Sequence, residues 1–89
     1  LWETVRRLAA PGAPVYVMDL VRPGSVSEAE RLVEMYAAGE PEVLRRDFYN
    51  SLLAAFSLEE IEGQLEHAQL PHLEVKAVSD RHVLIAGRV

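Results

Sequence analysis

The stretch Ala13-Pro14-Val15-Tyr16-Val17-Met18-Asp19-Leu20-Val21-Arg22-Pro23-Gly24 decides the fold, because it predicts a strand bounded by turn residues. Its valine, tyrosine, methionine and leucine residues form a nearly continuous apolar run that is too short for a stable isolated helix. Pro14 and Pro23-Gly24 bracket the run. A strand that is apolar on both faces is usually covered on both faces, as parallel strands in α/β proteins are. We therefore expect this first strand to be fully buried.

The composition predicts a folded domain and excludes several classes of protein. Hydrophobic residues make up 49% of the 89 residues and charged residues 26%. A net charge of -5 disfavours a nucleic-acid partner, since phosphate binding uses clustered Lys and Arg. No apolar run approaches the roughly 20 residues that span a bilayer, so we expect no membrane partner and a cytoplasmic location. The chain has no cysteine, so it can form neither a disulfide nor a thiolate metal site.

Apolar residues at helical spacing predict helices on both sides of the first strand. The first helix lies within residues 1–10 and ends at Pro11-Gly12. The second opens with Ser27 and Glu30, which have the spacing of a capping box, and ends at Gly39.

The third and fourth helices are predicted from the same signals. The third begins at Pro41. Polar residues near its middle, at 47, 49 and 50, interrupt the apolar stripe and predict a kink or a split into two short helices. The fourth begins at a second capping box, formed by Ser57 and Glu60, and ends near Ala68. Four aromatic residues lie on the helical stripes, and we expect all of them in the core: Trp2, Tyr36, Phe48 and Phe56.

The end of the chain changes to the period of β-strands. Residues 73–77 alternate apolar and charged side chains, which is typical of a strand with one wet face or at an edge. Ser79-Asp80-Arg81 predicts a turn, and residues 82–87 are apolar throughout. The last strand therefore lies between the first and second strands, antiparallel to both. We expect one α/β unit over residues 1–89, with strand order first-third-second and about four helices.

Three segments resemble class I, Rossmann-like S-adenosylmethionine-dependent methyltransferases. Residues 15–23 resemble the fifth strand of that family and the loop after it. Residues 47–57 resemble a helical segment of a bacterial branch. Residues 65–70 resemble the end of the last helix, which the sixth and seventh strands follow with Ser79-Asp80-Arg81-His82 between them. The resemblance covers the whole chain and implies the carboxyl-terminal half of a methyltransferase domain, with a partial Rossmann-like sheet.

The chain departs from the family pattern at two points. Gln69 stands where many relatives have glycine, so it must adopt a left-handed conformation or the helix must end differently. The glycine-rich turn and the acidic residue that build the family's cofactor site are absent, since no two glycines have G-x-G spacing. The resemblance thus implies S-adenosylmethionine as the cofactor of a complete parent, and no cofactor for this chain alone.

The expected partners follow from the incomplete sheet. Because the chain starts at Leu1 inside a predicted helix, we expect a fragment or a processed product. The resemblance implies that the missing part is the amino-terminal half of the domain. We expect it to be inactive alone and to self-associate through the open edge of the first strand. The alternative is a stand-alone α/β interaction module that is not an enzyme.

Five polar residues are candidates for a methyl-acceptor pocket. Asp19 and Arg22 lie at the carboxyl end of the first strand, where open α/β sheets bind ligands. They could instead form an ion pair or cap the loop. Arg46, Tyr49 and Asn50 belong to a polar patch in the third helix, which could line the pocket or face solvent. No catalytic residue is assigned.

The histidines give no metal motif. His67 and His72 have no recognised ligand spacing with each other or with Asp80 and His82, so we expect no metal site. His82 could act as a general base or serve only as a strand-end residue.

Overall fold

The computed structural model describes residues 1–89 and contains four helices and one three-stranded sheet. The chain is thus an α/β protein, as expected. None of its helices is long and apolar enough to cross a membrane. The elements in chain order are α1 (Trp2–Leu8), β1 (Pro14–Leu20), α2 (Val26–Ala37), α3 (Glu42–Ala54), α4 (Leu58–His67), β2 (Glu74–Ala77) and β3 (His82–Arg88).

The strand order is β1-β3-β2, and β3 is antiparallel to both neighbours. Pro14 lies opposite Arg88 at one end of the β1–β3 pair, and Leu20 lies opposite His82 at the other. The order predicted from the sequence is confirmed. The cause of this order is that β3, which is apolar throughout, takes the central position, and β2, which alternates apolar and charged residues, takes an edge.

The main core lies between one face of the sheet and helices α1 and α4. Val15 and Val17 of β1 pack against it from the sheet. Alternate residues of a strand share a face, so Val83 and Ile85 of β3 enter the same layer. The buried members of this main core are Trp2, Ile61, Leu65, Ala68, Leu70, Leu73, Val83 and Ile85.

A second, smaller core lies between α2 and α3. The sheet contributes Leu20 to its margin. The two cores make the molecule elongated, with extents of 45 × 21 × 18 Å and a radius of gyration of 15.1 Å. A compact chain of this length has a radius of gyration of about 12 Å. The buried residues of the second core are Ala29, Leu32, Val33, Ala37 and Leu52.

The face of the sheet opposite α1 and α4 is largely uncovered. Tyr16 is 70% exposed and Met18 is 50% exposed. The expectation that the first strand is buried on both faces is therefore wrong for this chain. The cause is that α2 and α3 bury their apolar stripes against each other and do not lie over the sheet.

The two predicted caps have different outcomes. The capping box of α4 is confirmed, because Ser57 Oγ accepts the Glu60 N–H at 3.1 Å and Glu60 Oε1 accepts the Ser57 N–H at 2.9 Å. Ser27 is not the cap of α2. That helix begins two residues earlier, and Ser25 Oγ accepts the Glu28 N–H at 3.1 Å. Both serines precede acidic residues by three positions, so spacing alone could not separate them.

Helix α3 runs without interruption over Glu42–Ala54. The predicted kink or split is wrong, because Asp47 and Asn50 are exposed and need no break in the helix to reach water. The aromatic residues also differ from expectation. Trp2 is buried and Phe48 is half-buried, but Tyr36 and Phe56 are 45% and 52% exposed.

Helix α4 ends in a Schellman motif with Gln69 in the left-handed region, at a φ of 63°. The Leu70 N–H donates to the Leu65 carbonyl at 2.7 Å, and the Gln69 N–H donates to the Glu66 carbonyl at 3.0 Å. Leu65 and Leu70 are both buried in the main core, and this contact holds the turn in place. Of the two alternatives for Gln69, a left-handed conformation or a different helix ending, the structure has the left-handed conformation.

We expect Gln69→Gly to stabilise the chain by about 1 kcal/mol, since glycine adopts positive φ without the steric cost that glutamine has. Thermal unfolding followed by circular dichroism measures the effect, and the midpoint should rise by about 4–8 °C. Gln69→Ala is the matched control, because alanine removes the same side chain but keeps the Cβ. An equal gain from both variants would contradict the explanation.

Candidate functional site

The end of β1 and the turn between β2 and β3 lie at the same edge of the sheet. Leu20 is opposite His82, so the residues after Leu20 lie beside the residues before His82. The Val21 N–H donates to the Arg81 carbonyl at 2.9 Å and extends the pairing by one residue. We call residues 19–22 and 79–82 together the carboxyl edge.

Asp19 and Arg22 lie at this edge but do not contact each other. Asp19 Oδ1 accepts the N–H of the next residue, Leu20, at 2.8 Å. The Arg22 guanidinium donates to Glu60 at the start of α4, and the Arg22 N–H donates to the Phe56 carbonyl at 3.0 Å. Asp19 is therefore a local cap, and Arg22 joins the loop after β1 to helix α4.

Glu60 is shared between the helix cap and this ion pair. Its hydrogen bonds with Ser57, first from the backbone N–H of the cap residue, lower the pKa of Glu60, and the nearby Arg22 guanidinium lowers it further. Glu60 is therefore ionised at neutral pH, when it can accept from both partners. The pair with Arg22 is about 40% exposed on each side, with side-chain exposures of 42% and 43%, so it contributes little to stability by itself.

Tyr36, Asp80 and Arg81 form a three-residue cluster that joins α2 to the β2–β3 turn. The Tyr36 hydroxyl donates to Asp80 Oδ2 at 2.7 Å. Arg81 Nη1 donates to Asp80 Oδ1 at 3.0 Å, and the guanidinium carbon lies 3.7 Å from the centroid of the Tyr36 ring. The turn cluster thus combines a charge-assisted hydrogen bond, an ion pair and a cation–π contact.

The same contacts change the acidity of the turn cluster. The hydrogen bond from Tyr36 lowers the pKa of Asp80, and Arg81 lowers it further. The bond to Asp80 raises the pKa of Tyr36. On α2, the guanidinium of Arg31 lowers the pKa of Glu28 through two hydrogen bonds. The lowered pKa values keep Asp80 and Glu28 ionised at neutral pH, and the raised pKa keeps the Tyr36 hydroxyl protonated.

Ser79 orders the rest of the turn. Its Oγ accepts the N–H of Arg81 at 3.2 Å and that of His82 at 3.0 Å, and it lies 2.9 Å from His82 Nδ1. His82 therefore has one ring nitrogen committed to the turn.

The other histidines lie elsewhere. His67 Nε2 lies 3.6 Å from Glu3 Oε1, and His72 Nε2 lies 2.7 Å from the Arg88 carbonyl. No group of three or more histidine, aspartate or glutamate side chains is arranged to hold a metal ion.

A groove of about 440 Å³ opens between α1, β1 and α4 and reaches the carboxyl edge at Asp19. Its volume falls within the range of about 300–1,000 Å³ found for small-molecule sites. Asp19, Gln64 and His67 are among its polar groups. Its apolar lining residues are Leu1, Trp2, Val17, Leu20, Phe56, Ile61, Ala68 and Ile85. The groove can therefore hold an apolar molecule with a polar end directed to Asp19.

A second hollow, of about 520 Å³, lies between α2 and α3 and is lined mainly by charged residues. Arg46 and Tyr49 line it, with Arg45 beside them. Arg45 bonds to Glu34 at 2.9 Å, and Arg46 bonds to Glu42 at 3.3 Å. Two of the three polar-patch candidates thus share this hollow.

The structure does not gather the five candidate residues into one pocket. Asp19 lies in the groove and Arg22 lies against α4. Arg46 and Tyr49 lie in the α2–α3 hollow, while Asn50 is exposed and lines neither cavity. The pair at the end of β1 and the polar patch of α3 thus stay apart, and Asn50 belongs to neither cavity.

Sequence reasoning missed Tyr36 and Asp80 as partners and Glu60 as the partner of Arg22. Tyr36 continues the apolar stripe of α2, and this pattern predicts a position in the core. One signal was available: antiparallel β3 must start beside the end of β1, so Asp80 and Arg81 had to lie at the carboxyl edge. Nothing in the spacing indicated which residue of α2 would reach them.

No protein-family model, curated protein or solved structure matches this chain.

We expect Tyr36→Phe to raise the pKa of Asp80 towards its ordinary value of 3.8, because the largest cause of its lowering is the Tyr36 hydrogen bond. A carboxyl with a lowered folded-state pKa stabilises the fold above its unfolded pKa and loses that effect as pH falls. The stability difference between the two proteins should therefore be constant from pH 5 to 8, about one to four units above that ordinary pKa, and shrink below pH 4. Carboxyl chemical shifts measured by NMR against pH give the pKa directly.

Tyr49→Phe is the matched control, since it removes a tyrosine hydroxyl from α3 with no hydrogen bond to Asp80. An unchanged Asp80 titration in Tyr36→Phe would contradict the assignment.

Proposed function

We propose that this chain is the carboxyl-terminal part of a class I, Rossmann-like methyltransferase domain whose parent transfers a methyl group from S-adenosylmethionine. Its role is to complete the sheet and to form part of the acceptor pocket. The β1-β3-β2 order supports this, because an antiparallel last strand inserted between the first and second strands is the arrangement that the resemblance implies. The positions of α1 and α4 on one face of β1 and β3 are compatible with it.

The observation that carries the proposal is the incomplete environment of β1. One edge of β1 pairs with β3, and no strand pairs with the other edge. Tyr16 and Met18 also expose a strip of apolar surface on the face opposite the main core. A further strand on the open edge, with helices over the open face, would complete both. These are the parts that an amino-terminal half would supply.

The groove at the carboxyl edge is the proposed part of the acceptor pocket. Asp19 has one carboxylate oxygen bound to the N–H of Leu20 at the end of β1, and the other can position a hydroxyl or amine of an acceptor. Arg22 lies on the same edge and fixes the loop through Glu60. Arg46, Tyr49 and Asn50 are proposed as a more distant acceptor surface, reached only by a larger molecule.

The residues of this chain do not fit S-adenosylmethionine. A cofactor site of this class needs glycines where the backbone meets the ligand, and no glycine lines the groove. The cofactor is therefore assigned to the missing half. No catalytic residue is assigned to this chain.

The alternative function is a stand-alone interaction module. The exposed strip of β1 favours it as a binding surface. The two proposals differ in what precedes Leu1 in the coding sequence.

We expect the coding sequence upstream of Leu1 to encode a strand, a glycine-rich turn and a helix, followed by a strand that ends in an acidic residue. We also expect no heat of binding when S-adenosylmethionine is titrated calorimetrically into the 89-residue chain. The longer protein is the positive control. An upstream sequence without this pattern would favour the interaction module, and micromolar binding by the short chain would contradict the assignment of the cofactor to the missing half.

In the longer protein, we expect Asp19→Asn to raise the KM for the acceptor on the order of tenfold, the equivalent of one charge-assisted hydrogen bond. The KM for S-adenosylmethionine should stay unchanged. Asp47→Asn is the matched control, since it makes the same change at an exposed position of α3. Equal kinetics for both variants would remove Asp19 from the acceptor pocket.

A further inference from the structure

The backbone groups that β1 presents on its open edge can be identified from the pairing with β3. The Val89 N–H donates to the Ala13 carbonyl, and the Val21 N–H donates to the Arg81 carbonyl, each at 2.9 Å. These pairs lie one residue beyond each end of the register. Antiparallel pairs alternate between bonded and non-bonded. Odd-numbered residues of β1 therefore bond to β3, and even-numbered residues direct their N–H and carbonyl groups to the open edge.

Only two of these even-numbered residues have a free N–H group. Pro14 has none. The Leu20 N–H is occupied by its neighbour's carboxylate, Asp19 Oδ1, at 2.8 Å. The Tyr16 and Met18 N–H groups thus remain as the donors of the open edge. They lie symmetrically about Val17, with a blocked donor at each end of the strand.

We propose that the 89-residue chain forms a two-fold symmetric dimer in which β1 pairs antiparallel with β1 of a second copy, centred on Val17. In this register Tyr16 of each copy lies opposite Met18 of the other. Each of these two pairs exchanges two backbone hydrogen bonds. Val17 lies opposite Val17 of the second copy in a non-bonded pair. The result is one six-stranded sheet formed from two three-stranded sheets.

The two blocked residues favour this register over its neighbours. Here Pro14 lies opposite Leu20 of the second copy, so residues without a free donor meet outside the paired segment. A shift that centres the pair on Tyr16 places Pro14 opposite Met18, and the proline ring meets a carbonyl that needs a donor. A shift that centres the pair on Met18 places Tyr16 opposite Leu20 of the second copy. The N–H of that Leu20 is already bound by its own Asp19, so the Tyr16 carbonyl finds no donor. Both shifts leave an acceptor inside the paired segment without a partner.

The side chains of the open face are compatible with the same register. Tyr16 and Met18 are apolar and exposed, and pairing brings the ring of one copy against the thioether of the other. Contacts between methionine sulfur and aromatic rings are favourable. On the other face, Val15 lies opposite Asp19 of the second copy, so the two Asp19 carboxylates are kept apart. The second copy thus fits the donors, the blocked ends and the exposed face.

This proposal rests on backbone hydrogen bonding and does not depend on the proposed enzymatic role. It concerns the 89-residue chain. A strand supplied by a longer protein would use the same two donors and replace the second copy.

The experiment is a cysteine scan of β1, for which the chain is suited because it has no native cysteine. A non-bonded antiparallel pair has its Cα atoms about 4.5 Å apart, within the range for a disulfide. We expect Val17→Cys to give a disulfide-linked dimer under mild oxidation, seen by non-reducing electrophoresis. Val15→Cys is the matched control on the same face, and its cysteines would be about 14 Å apart along the strand, too far to link.

A second measurement uses the exposed face, where substitutions do not disturb the core. We expect Tyr16→Cys alone and Met18→Cys alone to stay unlinked, and an equimolar mixture of the two to give the mixed disulfide. Mass spectrometry identifies the linked peptides. Linking of Tyr16→Cys with itself, or of Met18→Cys with itself, would overturn the register.

Met18→Pro tests the hydrogen bonds themselves. It removes a donor that faces the open edge and takes no part in the β1–β3 ladder, a position where edge strands accept proline. Sedimentation at tens of micromolar should show a dimer for the unmodified chain and a monomer for Met18→Pro with its circular dichroism unchanged. A monomeric unmodified chain, or a Met18→Pro variant that remains dimeric, would overturn the proposal.

Discussion

The hydrogen bonding of β3 to two neighbours is the constraint on which the rest of the structure depends. The segment from His82 to Arg88 pairs with β1 along its whole length and with β2 along four residue pairs. Helices α2, α3 and α4 all lie between β1 and β3 in sequence. Helix α4 forms its native contacts only when the two distant strands meet, because it packs on a face that β1 and β3 build jointly. The folding of the main core therefore depends on contacts between residues that are far apart in sequence.

The antiparallel direction of β3 also determines where the polar groups lie. Since β3 starts beside the end of β1, the turn before His82 is brought to Asp19 and Arg22. The turn is held from the other side by Tyr36 at the end of α2. The carboxyl edge thus joins the sheet to the α2–α3 helix pair and to α4 through a few exposed contacts. Each of these contacts is weak in water, and those of Tyr36 with Asp80 and Arg81 join the α2–α3 pair to the turn.

The division into two cores explains why so much apolar surface is exposed. Helices α2 and α3 pack their buried residues against each other and not on the sheet, so Tyr16 and Met18 stay uncovered. An open strand edge next to an open apolar face is a natural place for association. The edge is nevertheless selective, because Pro14 and Asp19 block it at both ends. A strand that paired with this edge would therefore be short and would align with the N–H groups of Tyr16 and Met18.

The sequence by itself determined the helices and strands, the strand order and the capping box of Ser57, because these depend on local spacing and on how apolar each strand is. It also placed Asp19 and Arg22 at the carboxyl edge. For Gln69 it left two endings of α4 open, and the structure has the left-handed one. Only the tertiary structure decided that Arg22 contacts Glu60, that Tyr36 contacts Asp80, and that one face of β1 stays open. The physical reason is that side-chain partners and burial depend on how separate elements pack in space. Residues such as Tyr36 and Asp80, far apart in sequence, carry no local signal of that packing.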